Sequence, residues 1–482
     1  MILVNRKRIV VAGTNSGSGK TTVTMALLAA LRNQGQSVQG FKVGPDYIDP
    51  SFHTTITGRP ARNLDTWMMS PNIMKEIFQR GSEKADISII EGVMGLYDGK
   101  SGKDDRASTA EIAKKLDAPV ILVVNAKSQA RSVAALIYGF QNFDPDVKVA
   151  GVILNKVSSE NHYRYLKEAV TSLGSVELLG YLPDEPDIEL PERHLGLTPA
   201  EESHDLHQKV SKLADMFSER VDMKKINQLA TAYEQWQPVS ETFYNNKLDS
   251  VKEHMITNKT TKIPVAIAKD LAFSFYYQDN LEWLEEQGVE WVPVSPLKDK
   301  EIPEYVCGLY LGGGFPELYA SQLSSNTSFM DNLKNLHKKG LPILAECGGF
   351  IYLCNTLQDL KGDKYSLTGL IPGQVTMNSR LMALGYREAH AVKDSILLKQ
   401  GDKVKGHEFR YSQFEVEMNE ELDEDSFPYA YIISARNKSK QAGYLSGNLL
   451  ASYLHIHLAS NINAAKRLFN SFHDYYRLKQ FQ

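Results

Sequence analysis

Two α/β domains in tandem, each a mostly parallel sheet with helices on both faces, are what this sequence predicts. Three observations carry that expectation. The chain has 482 residues, more than one hydrophobic core ordinarily serves. Residues 1–200 alternate short β-branched runs with amphipathic helical stretches, the pattern of a buried parallel sheet. After a polar, charged stretch over 201–262, the alternation resumes and occupies 263–482.

In the first domain the strand candidates are Arg8–Ala12, Val38–Val43, Ile87–Glu91, Val120–Asn125 and Ala150–Asn155. Thr21–Gln34 and Ser108–Leu116 have apolar residues at three-to-four spacing and are expected as helices. The 201–262 segment has no strand-like run and is expected as a helical, polar connection. Beyond it, Ile263–Ala268, Gly288–Val294, Gly308–Leu311 and Pro342–Ala345 form the second set of strands. In such sheets ligands sit at the carboxyl ends of strands, so the residues just past each run matter most.

Composition narrows the function. A formal charge of −4 argues against nucleic-acid binding, which usually brings a clustered basic excess. Three cysteines, Cys307, Cys347 and Cys354, are too few for a disulfide framework and fit a reducing compartment. The first apolar run is too short for a signal peptide, and none is long enough to span a bilayer. The expectation is a cytoplasmic protein without a membrane or nucleic-acid partner.

After the first strand comes Gly13-Thr14-Asn15-Ser16-Gly17-Ser18-Gly19-Lys20-Thr21-Thr22, opening a helix. Backbone N–H groups of such a loop converge on phosphate oxygens, the lysine neutralises charge, and the hydroxyl after it reaches Mg²⁺. Thr14, Asn15, Gly17, Ser18, Gly19, Lys20, Thr21 and Thr22 are therefore candidate ATP contacts. Five residues separate Gly13 from Gly19, so Thr14 stands where the standard pattern has its first glycine. That spacing resembles the dethiobiotin synthetase branch of P-loop proteins.

Other strand ends carry chemistry. Glu91 follows an apolar strand where a P-loop protein places a second Mg²⁺ contact. The loop Phe41–His53 packs Lys42, Asp46, Tyr47, Asp49 and His53 together, although a plain structural loop could look the same. Asn155 ends a strand with an amide that suits either an adenine edge or a turn.

The second domain reads as a thiol amidase. Cys347 lies between a buried strand and an apolar helix, followed by Gly348 and Gly349, and a helix N-terminus there would favour its thiolate. The run Gly312-Gly313-Gly314 follows another strand, and Gly313 and Gly314 are the expected oxyanion donors. His455 in Tyr453-Leu454-His455-Ile456-His457 is the candidate base, with a core histidine as the alternative for each ring.

These three segments, in this order, resemble the class I glutamine amidotransferase domain in its cobyrinic and cobyric acid synthase variant. The glutamate usually found two residues past the histidine is absent, and His457 occupies its place. Glu91–Gly99, Ala272–Tyr277 and Gly406–Ser412, together with the segments above, extend the likeness over nearly the whole chain. On these motifs the sequence is identified as a member of the cobyrinate/hydrogenobyrinate a,c-diamide synthase family. The resemblance implies a P-loop domain followed by an amidotransferase domain, with ATP and Mg²⁺, glutamine as the ammonia source and cobyrinic acid or a related tetrapyrrole as acceptor.

It also implies roles. Lys20, Lys42 and Asn155 would serve ATP; Thr21, Glu91 and Asp46 would serve Mg²⁺; Asp46, Tyr47, Asp49 and His53 would position the substrate. Hydrogenobyrinic acid and Ni-sirohydrochlorin are alternative acceptors, and a homodimer is compatible with the likeness. From other classes, a partition-type ATPase switch would turn over ATP indifferently to glutamine. A free glutaminase fused to a nucleotide-binding module would need no ATP.

Overall fold

The computed structural model describes residues 7–184, 206–230, 242–244, 262–417, 426–435 and 438–481. It divides into two compact units, Met1–Thr242 and Phe243–Gln482. Among the described residues no helix is long and apolar enough to cross a membrane.

The first unit is built on a seven-stranded sheet. Its strands are β1 (Lys7–Gly13), β2 (Val38–Val43), β3 (Arg62–Leu64), β4 (Ile87–Gly95), β5 (Val120–Asn125), β6 (Val149–Val157) and β7 (Glu177–Pro183). They lie in the order β3-β2-β4-β1-β5-β6-β7, with every pairing parallel. Five of these were expected; β3 is only three residues long and β7 follows no β-branched run. The helix Lys20–Asn33 starts one residue earlier than expected. Thr109–Leu116 is capped by the Ser108 hydroxyl, which accepts the Glu111 N–H.

Register fixes the site. Lys42 lies opposite Glu91 and Asn125 opposite Asn155, so their side chains leave the same carboxyl edge from which the glycine loop departs.

The 201–262 segment does more than connect. Within it, Leu206–Arg220 lays Val210, Leu213, Ala214 and Phe217 into the core that contains Val23, Leu27, Ile89 and Ile153. Gly180 permits this packing, since a Cβ there would stand 2.1 Å from the Arg220 carbonyl oxygen. Further on, Phe243 and Tyr244 belong to the second unit: Trp283 Nε1 donates to the Phe243 carbonyl at 2.9 Å and the Tyr244 hydroxyl to Asp279 at 2.6 Å.

The second unit has a six-stranded core sheet made of β8 (Ile263–Ala268), β9 (Val289–Val294), β10 (Leu309–Leu311), β11 (Ile343–Glu346), β20 (Tyr444–Ser446) and β21 (Leu449–Ser452). In the order β20-β21-β11-β10-β8-β9, all pairings are parallel except that of the β20 edge strand. Two smaller sheets, unforeseen in the sequence, are built mostly from the chain between β11 and β20. One contains β12 (Cys354–Gln358), β13 (Lys364–Ser366), β14 (Ile371–Met377) and β17 (Ser412–Val416). The other contains β15 (Ala383–Ala391), β16 (Lys403–Arg410), β18 (Tyr431–Ala435), β19 (Lys438–Ala442) and β22 (His455–Ile456) and is wholly antiparallel.

If Leu206–Arg220 is part of the first unit's core, Phe217→Ala should cost about 3–5 kcal/mol of that unit's stability. Chemical denaturation of the full chain checks this, and a loss below about 1 kcal/mol would mean that the helix is only a linker.

Candidate active sites

In the first unit, β1 delivers the chain into the glycine loop. Gly17 (φ +79°) and Gly19 (φ +91°) take left-handed conformations that other residues adopt with strain. A Cβ on Gly13 would stand 2.1 Å from Ser18 Oγ, and one on Gly19 would stand 1.9 Å from Asn155 Nδ2. Asn155 donates through that nitrogen to the Ser18 carbonyl at 3.0 Å. It therefore buttresses the loop, a role distinct from the adenine contact or the local turn expected of it. Lys20 Nζ donates to the Asn15 carbonyl at 3.3 Å, folded over the loop, while Thr14 Oγ1 donates to Asn15 Oδ1 at 3.0 Å. Thr22 sits partly exposed in the first helical turn.

Behind the loop lies a cluster of charges. Lys42 Nζ is 2.5 Å from Asp49 Oδ2, 3.0 Å from Glu91 Oε1 and 3.9 Å from Asp46 Oδ2. It also donates to the Gly92 carbonyl at 3.1 Å. Lys42 is 3% exposed and Glu91 not at all. Burial alone would discharge the lysine, but Asp49, Glu91 and Asp46 outweigh it and raise its pKa above the ordinary value. The Thr21 hydroxyl donates to Glu91 Oε1 at 2.7 Å and lies 3.5 Å from Asp49 Oδ2.

Three hard oxygens thus meet at the head of the helix, a donor set that suits Mg²⁺ shared with phosphate oxygens. Among the described residues no group of three or more His, Cys, Asp or Glu could hold a metal alone. Asp49 stands closer to Lys42 than Asp46 does, and the Asp46 Oδ1 accepts the Ile48 N–H at 2.8 Å. His53, expected beside the substrate, has no exposed surface. Its Nε2 meets Glu91 Oε2 at 2.7 Å, and Gly40 makes room for it, a Cβ there falling 2.8 Å from His53 Cβ. Of the four residues expected at the substrate, only Asp46 and Tyr47 retain partial exposure.

In the second unit, Cys347 occupies a strained turn, with φ 49° and ψ −99°, between β11 and the helix Gly348–Leu353. The Cys347 N–H donates to the Ser452 carbonyl at 2.8 Å. Burial and then Glu317 push the thiol up to about 12, with Arg410 and the Gly348 N–H acting the other way. Burial therefore outweighs the lowering influence of the Gly348 backbone at the start of this six-residue helix.

His455 lies beside the triglycine loop, where a Cβ on Gly313 would stand 2.3 Å from His455 Cε1. Burial and then His407 hold its ring down to about 3, so it is neutral. Of the two expected oxyanion donors, the Gly313 N–H donates to the Phe275 carbonyl at 3.3 Å. The Gly314 nitrogen lies 2.9 Å from a Cβ built on Gly348 and so faces the nucleophile turn.

His457 does not replace the absent glutamate. Its Nδ1 accepts the Ala459 N–H at 3.3 Å and its ring packs 4.7 Å from that of Tyr277. Burial lowers it to about 4. Next to the nucleophile, Glu346 accepts from the Ile456 N–H at 3.0 Å and the Tyr310 hydroxyl at 2.9 Å. Burial outweighs both bonds and raises its carboxyl to about 8.

Comparison with known proteins accounts for both halves. Residues 9–197 match the CobQ/CobB/MinD/ParA nucleotide binding domain, and residues 264–462 match the CobB/CobQ-like glutamine amidotransferase domain. The chain is 42% identical over 459 residues to the cobyrinate a,c-diamide synthase of Priestia megaterium, covering 95% of each chain. It is 42% identical over 459 residues to that of Caldanaerobacter subterraneus, covering 95% of this chain and 96% of the other. Against that of Listeria innocua it is 41% identical over 465 residues, covering 96% and 99%. The chain belongs to the cobyrinate a,c-diamide synthase family.

Within this family frame, sequence reasoning missed several polar residues near Cys347. Glu317 follows the triglycine loop, and Glu408 and Arg410 fall inside the Gly406–Ser412 segment already singled out. Arg387 comes from the adjacent strand, β15, where it pairs with Gly406. Pattern could have flagged the first three, but only the antiparallel register brings Arg387 to them.

A thiol held neutral by burial should alkylate faster as base is added. The rate at Cys347 with iodoacetamide should rise about tenfold per unit from about pH 7 to about pH 9. Site-resolved mass spectrometry measures this, and a flat profile over that range would indicate a preformed thiolate–imidazolium pair.

Proposed function

We propose that this chain uses ATP and glutamine to amidate the c and then the a acetate side chains of cobyrinic acid in cobalamin biosynthesis, in the cytoplasm. The observation that carries this reading is the pairing, in one chain, of Lys20, Thr21 and Glu91 at a phosphate loop with Cys347 and His455 at a thiol elbow. The relatives named cobyrinate a,c-diamide synthase, matched over 95% of this chain, support the choice of acceptor.

A carboxylate is a poor electrophile because its charge is delocalised and its oxygen leaves badly. Transfer of the ATP γ-phosphoryl to it corrects both faults and gives an acyl phosphate. Lys20 covers the charge on the phosphates, and Lys42 holds Glu91 and Asp49 in place. Thr21, Glu91 and Asp49 would hold Mg²⁺, which supplies charge neutralisation at the phosphate oxygens when bound. Asp46 and Tyr47 offer the partly exposed surface that an acceptor can reach.

In the second unit Cys347 attacks the side-chain amide of glutamine, His455 takes the thiol proton and passes it to the departing ammonia, and Gly314 and Gly348 N–H groups receive the oxyanion. Water then releases glutamate. A base as weak as His455 and a thiol as high as Cys347 favour slow hydrolysis until both are reorganised.

The test is a mass-spectrometric product assay with ATP, Mg²⁺ and amide-nitrogen-15 glutamine, offering cobyrinic acid, hydrogenobyrinic acid and Ni-sirohydrochlorin in parallel. Two labelled amides on cobyrinic acid are expected. Cys347→Ala should abolish use of glutamine and retain amidation from added ammonium, whereas Lys20→Ala should cut amidation from both sources by at least about 100-fold. ATP hydrolysis without label on any acceptor would overturn the reading.

A further inference from the structure

Close to Cys347 the second unit carries charges that the reaction steps above leave unused. Glu408, on β16, is 3% exposed. Its two oxygens are each taken by an arginine: Arg387 Nε at 2.7 Å and Arg410 Nε at 2.8 Å. The arginine side chains are only 13% and 12% exposed. Two guanidinium groups against one carboxylate leave a positive charge in excess, in a place with little water to solvate it.

The remaining guanidinium donors narrow the role further. Arg387 Nη1 donates to the Tyr386 carbonyl and Arg410 Nη1 to the Ser412 carbonyl. Neither Nη2 has an acceptor among the described residues. A fork held by its Nε with a spare nitrogen suits a ligand carboxylate.

Position ties this cluster to the nucleophile. His407 pairs across the strands with His455, placing β16 alongside the base. The Arg410 guanidinium sits 4.5 Å from the centre of the Tyr453 ring. Tyr453 directly follows Ser452, whose carbonyl takes the Cys347 N–H. A second charge approaches from the triglycine loop. A Cβ on Gly348 would stand 3.1 Å from Pro316 Cδ, so Pro316 packs on the nucleophile turn and Glu317 comes next. Glu317 is partly buried, and among the described residues no side chain pairs with it. Burial raises it to about 7, and an arriving ammonium would ionise it.

We propose that these groups form the specificity site for the α-amino-acid end of glutamine, with Arg410, steadied by Glu408 and Arg387, taking the α-carboxylate and Glu317 taking the α-ammonium. A zwitterion then meets the spare guanidinium donor of Arg410 and the Glu317 carboxyl at once and presents its side-chain amide to Cys347. The assignment rests on the reading of Cys347 as the nucleophile of a glutaminase.

Two substrate analogues test it in the full chain with ATP and acceptor present. Glutamine α-amide lacks the carboxylate and glutaramate lacks the amino group; the unaltered protein should use each at least about 100-fold less efficiently than glutamine. Arg410→Gln should lower kcat/KM for glutamine by about the same factor and bring the ratio over the α-amide near unity, with the ratio over glutaramate kept. Glu317→Gln should do the converse. Variants that lose activity on glutamine and both analogues in equal proportion would overturn the proposal.

Protection of Cys347 from alkylation gives a measurement free of variants. Glutamine should protect, and the α-amide and glutaramate should not at equal concentration; equal protection by all three would overturn the proposal. Failure of glutamine itself to protect or to react would count against the glutaminase reading, and is thereby told apart.

Discussion

A charged lysine almost without water organises the first unit. Lys42 remains an ammonium because Asp49 and Glu91 stand within 2.5 and 3.0 Å of it, and it ties those two carboxylates together beside Thr21. Breaking such a buried set by removing one member costs about 3–5 kcal/mol, since the rest is left uncompensated. The parallel register that sets Lys42 opposite Glu91 is therefore more than a packing detail. It holds the carboxylate that faces the phosphate loop at a fixed height, with His53 behind it and Thr21 in front.

The second unit works by the opposite economy of charge. The nucleophile and base proposed for it are both neutral, because burial acts on Cys347 and His455 more strongly than any partner does. The cation excess sits one step away, on Arg387 and Arg410. On the proposed mechanism such a site stays unreactive until a substrate brings its own charges. That suits an enzyme whose ammonia is useful only when an activated carboxylate is waiting, since free ammonia at neutral pH is mostly ammonium and no longer a nucleophile.

Much of this was legible in the sequence where the chemistry is local. The glycine loop, the acid within β4, and the strand, cysteine and glycine pair of the second unit each span about ten residues or fewer, so spacing alone exposes them. The likeness to a known family added the acceptor and the ammonia source. What stayed hidden depends on contacts distant in sequence. Asn155 reaches Ser18 across 137 positions, and Glu91 meets His53 across 38. The Leu206–Arg220 helix reads in sequence as part of a helical, polar connection because charged residues surround its stripe of Val210, Leu213, Ala214 and Phe217, although that stripe has helical spacing. The two smaller sheets were missed because their strands alternate poorly; β15 buries only Ala389 and Ala391.

The central claim is that the buried charges of the first unit serve phosphoryl transfer to a carboxylate. Oxygen-18 in the acetate carboxylates of cobyrinic acid tests it most directly, with the isotope followed into phosphate products. The account predicts a single oxygen-18 in inorganic phosphate for each amide formed. Label appearing in AMP, or staying wholly with the corrinoid, would contradict it.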